Sequence, residues 1–297
     1  MTVKDIGRWV SSGTLYVVAT PLGNLADISQ RALSVLAHVD MIACEDTRHS
    51  GKLLAHFGIS TPRVSLHAYN EASRVAGLIK KLQQGESVAL ISDAGTPLIS
   101  DPGFELVRAA RAAGVPVSPI PGASALVTAL SAAGLPADRF AFEGFLPAKT
   151  AARRQRLASL AASPYTLIFY EAPHRLSAML DDLLKELGGD REAVIARELT
   201  KLHESFYAGT LADLQRSLRA EDIPVKGEFV VMVAGSDVES GDVTDEEVGT
   251  TRLIEALLSE GIAPKVLVRA LVKATGQPRN ALYQRVIALK GESENDQ

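Results

Sequence analysis

Residues 88–103 read VALISDAGTPLISDPG. Val88–Ile91 is an unbroken apolar run, as expected of a strand buried on both faces. Asp93 follows that run, so its carboxylate is expected to project from the strand end. Ala94 and Gly95 leave room for a ligand against the main chain. Thr96-Pro97 and Asp101-Pro102-Gly103 then turn the chain into an amphipathic segment at 103–113. A buried strand, a small-residue turn and a helix form the repeating unit of an α/β layered domain. In such a domain, ligands bind beyond the carboxyl ends of the strands.

The same alternation extends outward from this stretch. Leu15–Ala19, Met41–Cys44 and a shorter Val115–Val117 read as strands. Segments 28–38, 48–57 and 71–84 have helical periodicity, with Asp27 as an expected N-cap and Gly85 as an expected stop. This predicts a first α/β domain over 12–121 with a largely parallel sheet. A second α/β domain is expected over 122–235. Its strands are Phe140–Glu143, Thr166–Tyr170, Ala193–Arg197 and Phe229–Ala234, with helices at 123–133, 151–161, 174–187 and 211–219. The helix after Gly122 fits either domain. Residues 236–250 carry Asp237, Glu239, Asp242, Asp245, Glu246 and Glu247 with no base, and read as a solvated acidic linker. Residues 251–291 read as a small helical C-terminal domain with three short helices.

Composition bounds the function. The chain has 297 residues, 31 Lys+Arg against 35 Asp+Glu and a net charge of −4, which excludes a uniformly basic shell around nucleic acid. One cysteine, Cys44, excludes an internal disulfide framework, and no Cys/His cluster has zinc spacing, so no metal is expected. The opening residues lack the apolar centre of a signal peptide. The uncharged stretch near 112–137 contains Pro116, Pro119, Pro121 and Gly122, which break a membrane-spanning helix. A cytoplasmic protein without membrane contact is expected.

Three loops are candidate ligand sites. They are Pro21-Leu22-Gly23-Asn24, Asp93-Ala94-Gly95-Thr96 with Leu98, and Pro121-Gly122 with Ser124. No GxGxxG follows the first strand and no GxxxxGK[ST] occurs, so neither dinucleotide nor P-loop chemistry is indicated. Glu45, Asp46 and His67 follow strands and are candidate proton-handling groups, with capping as the plain alternative for Asp46. Lys201 is a further candidate. Lys149, Arg153 and Arg156 share a helical face beside Arg154, and with Arg48, Arg175, Lys265 and Arg279 they are candidate RNA-binding residues.

The motifs TLYVVATPLGNLADISQRAL, EDTRHSGKLLAHFGI, LISDAGTPLISDPGFELV, PGASALVTALSAAGLPADRFAFEGFLPAK, LIFYEAPHRL, ARELTKLHE and KGEFVVMVAG occur in this order over 14–235. Together they resemble the ribosomal RNA small subunit methyltransferase I family of the tetrapyrrole methylase superfamily. PRNALYQRVIAL resembles that family's small C-terminal domain. The usual PGP of the third loop is PGA here, with Ala123.

The resemblance implies two α/β domains of tetrapyrrole methylase type, with S-adenosylmethionine in the cleft between them, and a homodimer. It implies 2′-O-methylation of a cytidine ribose in 16S rRNA of the 30S subunit, near the decoding centre. The three loops named above are then its cofactor loops. The alternatives are a tetrapyrrole (precorrin-type) methyltransferase and a non-catalytic RNA-binding ribosome-assembly factor.

Overall fold

The computed structural model describes residues 10–236, 245–275 and 278–295. Residues up to Ser236 belong to one compact unit, and those from Asp237 to a second.

The first unit opens with β1 (Leu15–Val18), α1 (Gln30–His38), β2 (Met41–Cys44), α2 (Thr47–His56) and β3 (Arg63–Ser65). It continues with α3 (Glu71–Gln83), β4 (Val88–Ile91), α4 (Phe104–Ala112) and β5 (Val117–Ile120). The strands form a wholly parallel sheet in the order β3-β2-β4-β1-β5. β4 is central and buried at all four residues, as its unbroken apolar run predicts. Successive residues feed opposite faces: Val88 and Leu90 join one core with Leu82 and Leu106, and Ala89 and Ile91 join another with Val35 and Ile42.

Two local expectations fail. Ser29, not Asp27, caps α1, its hydroxyl accepting from Ala32 N–H at 3.0 Å, because a short 3-10 turn at Leu25–Asp27 intervenes. The fifth strand lies at Val117–Ile120 rather than Val115–Val117. It includes Pro119, which a strand at the sheet edge tolerates because one side needs no N–H donor.

The chain then forms α5 (Ala125–Ala133), β6 (Phe140–Phe145), α6 (Thr150–Leu160), β7 (Thr166–Glu171), α7 (Pro173–Leu187) and β8 (Glu192–Arg197). β9 (Ser205–Thr210), α8 (Leu211–Arg219) and β10 (Phe229–Val233) complete a mixed sheet, β6-β7-β10-β8-β9. Only β6 and β7 pair in parallel; β10 runs antiparallel to both neighbours. The strand β9 has no counterpart in the sequence reading. It is a partly exposed edge strand whose pattern lacks a buried run.

Helices α6 to α8 cover one face of this second sheet, where Leu157, Met179, Leu183 and Leu214 pack on Phe169, Ile195 and Val231. The opposite face packs against α5 through Leu126, Ala129 and Leu130, which settles where that helix belongs. Leu22 and Ile99, from loops of the first sheet, join this same cluster. The two sheets belong to one compact unit.

In the second unit, α9 (Asp245–Ser259), α10 (Pro264–Thr275) and α11 (Arg279–Asn295) share a core of Ile254, Leu267, Leu271, Leu282 and Val286. Helix α9 begins inside the expected linker. Acids are favoured in a first helical turn, so DEE at 245–247 reads equally as a helix start. Residues 237–244 of that linker lie outside the described residues. None of the described helices is long and apolar enough to cross a membrane.

Candidate active site

Strands β4, β1 and β5 are neighbours, so the loops at their carboxyl ends lie side by side. They are hydrogen-bonded in series. Thr20 N–H donates to Gly95 O at 2.9 Å, and Gly95 N–H returns a bond to Thr20 O at 3.0 Å. The Thr96 hydroxyl donates to Ala123 O at 3.0 Å, so Ala123, the variant position of the third loop, serves through its backbone. Gly122 brings its loop so close to β1 that an added Cβ would lie 2.9 Å from Ala19 Cβ.

These loops and the second sheet enclose a cavity of ≈ 290 Å³. The first sheet contributes Leu22, Ala94, Gly95, Thr96 and Ser124, all from the three candidate loops, together with Ile99, Ser100 and Asp101. The second contributes Tyr170 to Pro173 at the end of β7, Leu199 after β8, and Gly227 to Val230 leading into β10. Pro21, Gly23, Asn24, Asp93, Leu98, Pro121 and Gly122 do not line it. Asn24 caps the short 3-10 turn, and Leu98 packs into the first sheet's core.

Backbone strain concentrates here. Among the described non-glycine residues, Leu98, Ser100, Glu198, Thr200 and Glu221 have positive φ, and the first four sit in two of the cavity's loops. Such conformations persist only where surrounding contacts enforce them. Gly227 supplies one reason. Its φ is +92°, and a Cβ there would lie 2.2 Å from Glu198 Oε1.

The carboxylates differ in state. Burial raises the Asp101 pKa above the ordinary aspartate value, with Asp93's charge adding and the Ser92 hydroxyl opposing. Burial likewise raises Glu45, helped by the charges of Asp101 and Asp93 and opposed by His67. These causes place Glu45, His67, Asp93 and Asp101 within one electrostatic neighbourhood. Burial pushes the Tyr170 phenol up to about 12, with the Leu126 hydrogen bond opposing and Asp101's charge adding. The Tyr170 oxygen accepts from Leu126 N–H at 3.1 Å. Glu171 has a fully buried side chain. Its Oε1 accepts from Ala172 N–H at 2.9 Å and pairs with Arg175 Nε at 3.1 Å, while Oε2 is buried without a partner.

The cavity's composition fits a methyl-donor site, and comparison with known proteins identifies the lineage. Residues 14–215 match the profile of the tetrapyrrole (corrin/porphyrin) methylases. The chain is 54% identical over 272 residues to ribosomal RNA small subunit methyltransferase I of Xylella fastidiosa, covering 91% of this chain and 98% of that one. It is 52% identical to the Pseudomonas aeruginosa protein of the same name, covering 96% and 100%.

The chain belongs to the ribosomal RNA small subunit methyltransferase I family.

A solved uroporphyrin-III C-methyltransferase from Thermus thermophilus, complexed with S-adenosylhomocysteine, shares the fold. It has a TM-score of 0.52 at 18% identity, covering 74% of this chain and 97% of that one.

Several sequence assignments within this family member need correction. Asp46 caps α2, its Oδ1 accepting from Arg48 N–H at 2.7 Å and His49 N–H at 3.4 Å. The Arg48 hydrogen bond is the main reason its pKa is lowered, which makes it a weaker proton acceptor. Lys201 donates to Glu198 Oε1 and Glu228 Oε2, each at 2.8 Å. Burial opposes its charge, but the two carboxylates outweigh burial and raise its pKa. A lysine held cationic cannot accept a proton.

The basic cluster on α6 is spent internally. Arg153 is buried and pairs with Asp182 at 2.7 Å. Arg154 pairs with Glu186 at 2.5 Å, and Arg156 with Glu143 at 2.6 Å. Arg175 serves Glu171 and the Leu146 carbonyl. Shared helical spacing cannot distinguish a phosphate-facing helix from one that docks on acids of its own fold. Arg48, Lys149, Lys265 and Arg279 remain exposed.

Sequence reading also missed cavity residues. Asp101, Phe145, Tyr170, Glu171, Gly227 and Phe229 stood in quoted motifs without a cofactor role.

Proposed function

We propose that this protein transfers the methyl group of S-adenosylmethionine to the 2′-oxygen of a cytidine ribose in 16S rRNA of the small ribosomal subunit. The observation that carries the reading is one cavity joining all three small-residue loops to the acidic strand ends of the second sheet. Near-complete alignment with relatives named ribosomal RNA small subunit methyltransferase I supports the rRNA methyl transfer.

The residues present fit the cofactor. The cradle at Gly227 and Gly95 disfavours a side chain, since both have left-handed φ, a Cβ at Gly227 would lie 2.2 Å from Glu198 Oε1, and one at Gly95 would press on Leu22 Cδ2 at 3.2 Å. Asp101, Glu171 and Glu228 give an acidic lining, suited to a cationic sulfonium and amine. Leu22, Ala94, Gly95, Thr96, Ser124 and Leu199 would hold the nucleoside end through backbone and apolar contact. When bound, S-adenosylmethionine supplies a methyl group already activated on sulfur.

The protein's task is then to orient a ribose hydroxyl and remove its proton. We assign proton acceptance to an Asp101 carboxylate oxygen. Burial raises its basicity, and it lines the cavity where Asp46 and Lys201 do not. Glu45 and His67 belong to the same electrostatic neighbourhood as this carboxylate. Tyr170, kept protonated, donates a hydrogen bond without competing as a base. No metal enters this scheme.

We further take the protein to act as a cytoplasmic homodimer, as the resemblance implies. Light scattering of the purified protein tests the dimer. The activity is tested by incubating it with labelled S-adenosylmethionine and 30S subunits, naked 16S rRNA or a corrin precursor. Label at a 2′-O-methylcytidine supports the reading, and label in the corrin alone or in nothing overturns it.

A further inference from the structure

The α6 arginines are neutralised, so the RNA-facing charge must be sought elsewhere in the first unit. Between Asp46 and Glu86 the chain has a single acid, Glu71. It is buried, with Oε1 accepting from Leu106 N–H at 3.2 Å. Over the same interval Arg48, Lys52, Arg63, Arg74 and Lys80 are exposed, and none forms a salt bridge to a described carboxylate. Arg48 and Lys52 share a face of α2 by i,i+4 spacing. Arg63 reaches the same helix, its guanidinium carbon 3.6 Å from where a Gly51 Cβ would stand.

An aromatic residue stands just beyond β3, between Arg63 and Arg74 in the chain. Tyr69, between β3 and α3, is 99% exposed. An exposure this complete in a tyrosine leaves a large apolar ring without packing. Its loop is nonetheless ordered. Asn70 Oδ1 accepts from His67 N–H at 2.9 Å, Asn70 Nδ2 donates to Ser65 O at 3.2 Å, and Asn70 N–H donates to His67 O at 2.9 Å. The Tyr69 ring lies 6.1 Å from the His67 ring, edge-on. His67 and Asp101, which lines the cavity, both act electrostatically on Glu45. β3 is two strands from β4, so the carboxyl ends of these strands, from which the Tyr69 and Asp101 loops depart, lie about 10 Å apart on one side of the sheet.

We propose that this face, Tyr69 with Arg48, Lys52, Arg63 and Arg74, is the docking surface for the single-stranded RNA flanking the target ribose. Tyr69 stacks on an unpaired base next to the modified nucleotide, and the cations take its phosphates. An exposed aromatic ring held in a preformed turn and bordered by unpaired cations is the arrangement by which proteins grip single strands. Charge complementarity selects this occupant: four exposed bases, with the one acid between residues 47 and 85 buried, suit a polyanion and disfavour a second copy of the same basic surface. The inference rests on the proposed rRNA activity.

The test compares wild type, Tyr69→Ala, Tyr69→Phe and the double variant Arg48→Gln/Lys52→Gln, with labelled S-adenosylmethionine and 30S subunits. Tyr69→Ala is expected to raise KM for the subunit at least about fivefold. Its kcat, cofactor affinity and melting temperature stay at wild-type values, and Tyr69→Phe restores KM. The double variant flattens the salt dependence of binding by about 0.7 log units for each phosphate it no longer neutralises, or about 1.4 for two.

An unchanged KM in Tyr69→Ala overturns the proposal while leaving the activity intact. A loss of cofactor affinity or melting temperature assigns Tyr69 to structure, and a changed molecular mass assigns the face to a second copy; each overturns it. Wild type that labels no RNA removes the activity itself, a result distinct from all of these.

Discussion

Lys201 Nζ donates to Glu198 Oε1 at 2.8 Å, and the same carboxylate oxygen accepts from Glu228 N–H at 3.0 Å. The lysine's aliphatic chain lies over Gly23, where a Cβ would stand 2.3 Å from Lys201 Cγ. One side chain therefore ties the loop after β1 to the loops before β9 and β10. Its charge holds this junction together.

The pKa of Lys201 is raised above 10.5 in the folded protein. Its stabilising contribution is fully present below the unfolded value and is lost as pH rises through the raised folded value. Replacing it in Lys201→Met should lower the melting temperature by an amount constant from about pH 6 to 9, narrowing only above about 10.5. Melts across pH check this. An acidic limb near pH 7–8 in the wild-type rate profile, with the rate rising as pH increases, that vanishes in Lys201→Met would restore the lysine as a general base.

Gly227→Ala should damage both fold and cavity. The left-handed φ of +92° and the approach to Glu198 each disfavour a side chain. A loss of about 1–3 kcal/mol in stability is expected, with weakened S-adenosylmethionine binding by calorimetry. Gly58 also has positive φ but no atom within 4 Å of its added Cβ, so Gly58→Ala carries only the backbone strain and leaves cofactor binding unchanged.

Arg153→Met leaves Asp182 as an uncompensated buried charge. It should cost about 3–5 kcal/mol by urea denaturation, and Arg153→Met/Asp182→Leu should recover most of that loss. KM for the ribosomal subunit should not move in the refolded double variant. A selective rise in KM would return Arg153 to the RNA-binding surface.

Asp101 combines function with a stability cost. Its folded pKa is raised above 3.8, so between the unfolded and folded values the native state binds more protons. At neutral pH its charge destabilises the fold, and stability is gained as pH falls through the folded pKa. Asp101→Asn should therefore raise the melting temperature at pH 7 while lowering kcat by about 10²–10⁴. Retained kcat would remove it as the proton acceptor.

Asp46→Asn separates capping from catalysis, because asparagine caps equally well. Methylation by Asp46→Asn should stay near the wild-type rate, measured with saturating subunits. An inactive but fully folded variant would contradict the capping assignment.

Much of this architecture is legible in the chain. β2 and β4 lie where their apolar runs predict, because central strands of a parallel sheet need uninterrupted apolar residues. β9 escaped, because at a sheet edge a strand needs only one neighbour and can keep SFYAGT partly exposed. The three loops were legible from small residues at strand ends, since backbone approach restricts side-chain size. Asp101 and Glu171 were not, because their basicity and burial arise from neighbours far away in sequence.

The sequence by itself determined the two α/β sheets, the helical C-terminal segment and the small-residue loops at the strand ends. It did so through periodicity and side-chain size, which act over a few residues. Only the tertiary structure decided which charges are available. Arg153 and Arg48 look alike along the chain, yet Arg153 is consumed by Asp182 and Arg48 faces solvent. Electrostatic pairing depends on distances across elements, and those distances are set by how α6 docks on α7 and how α2 is left uncovered.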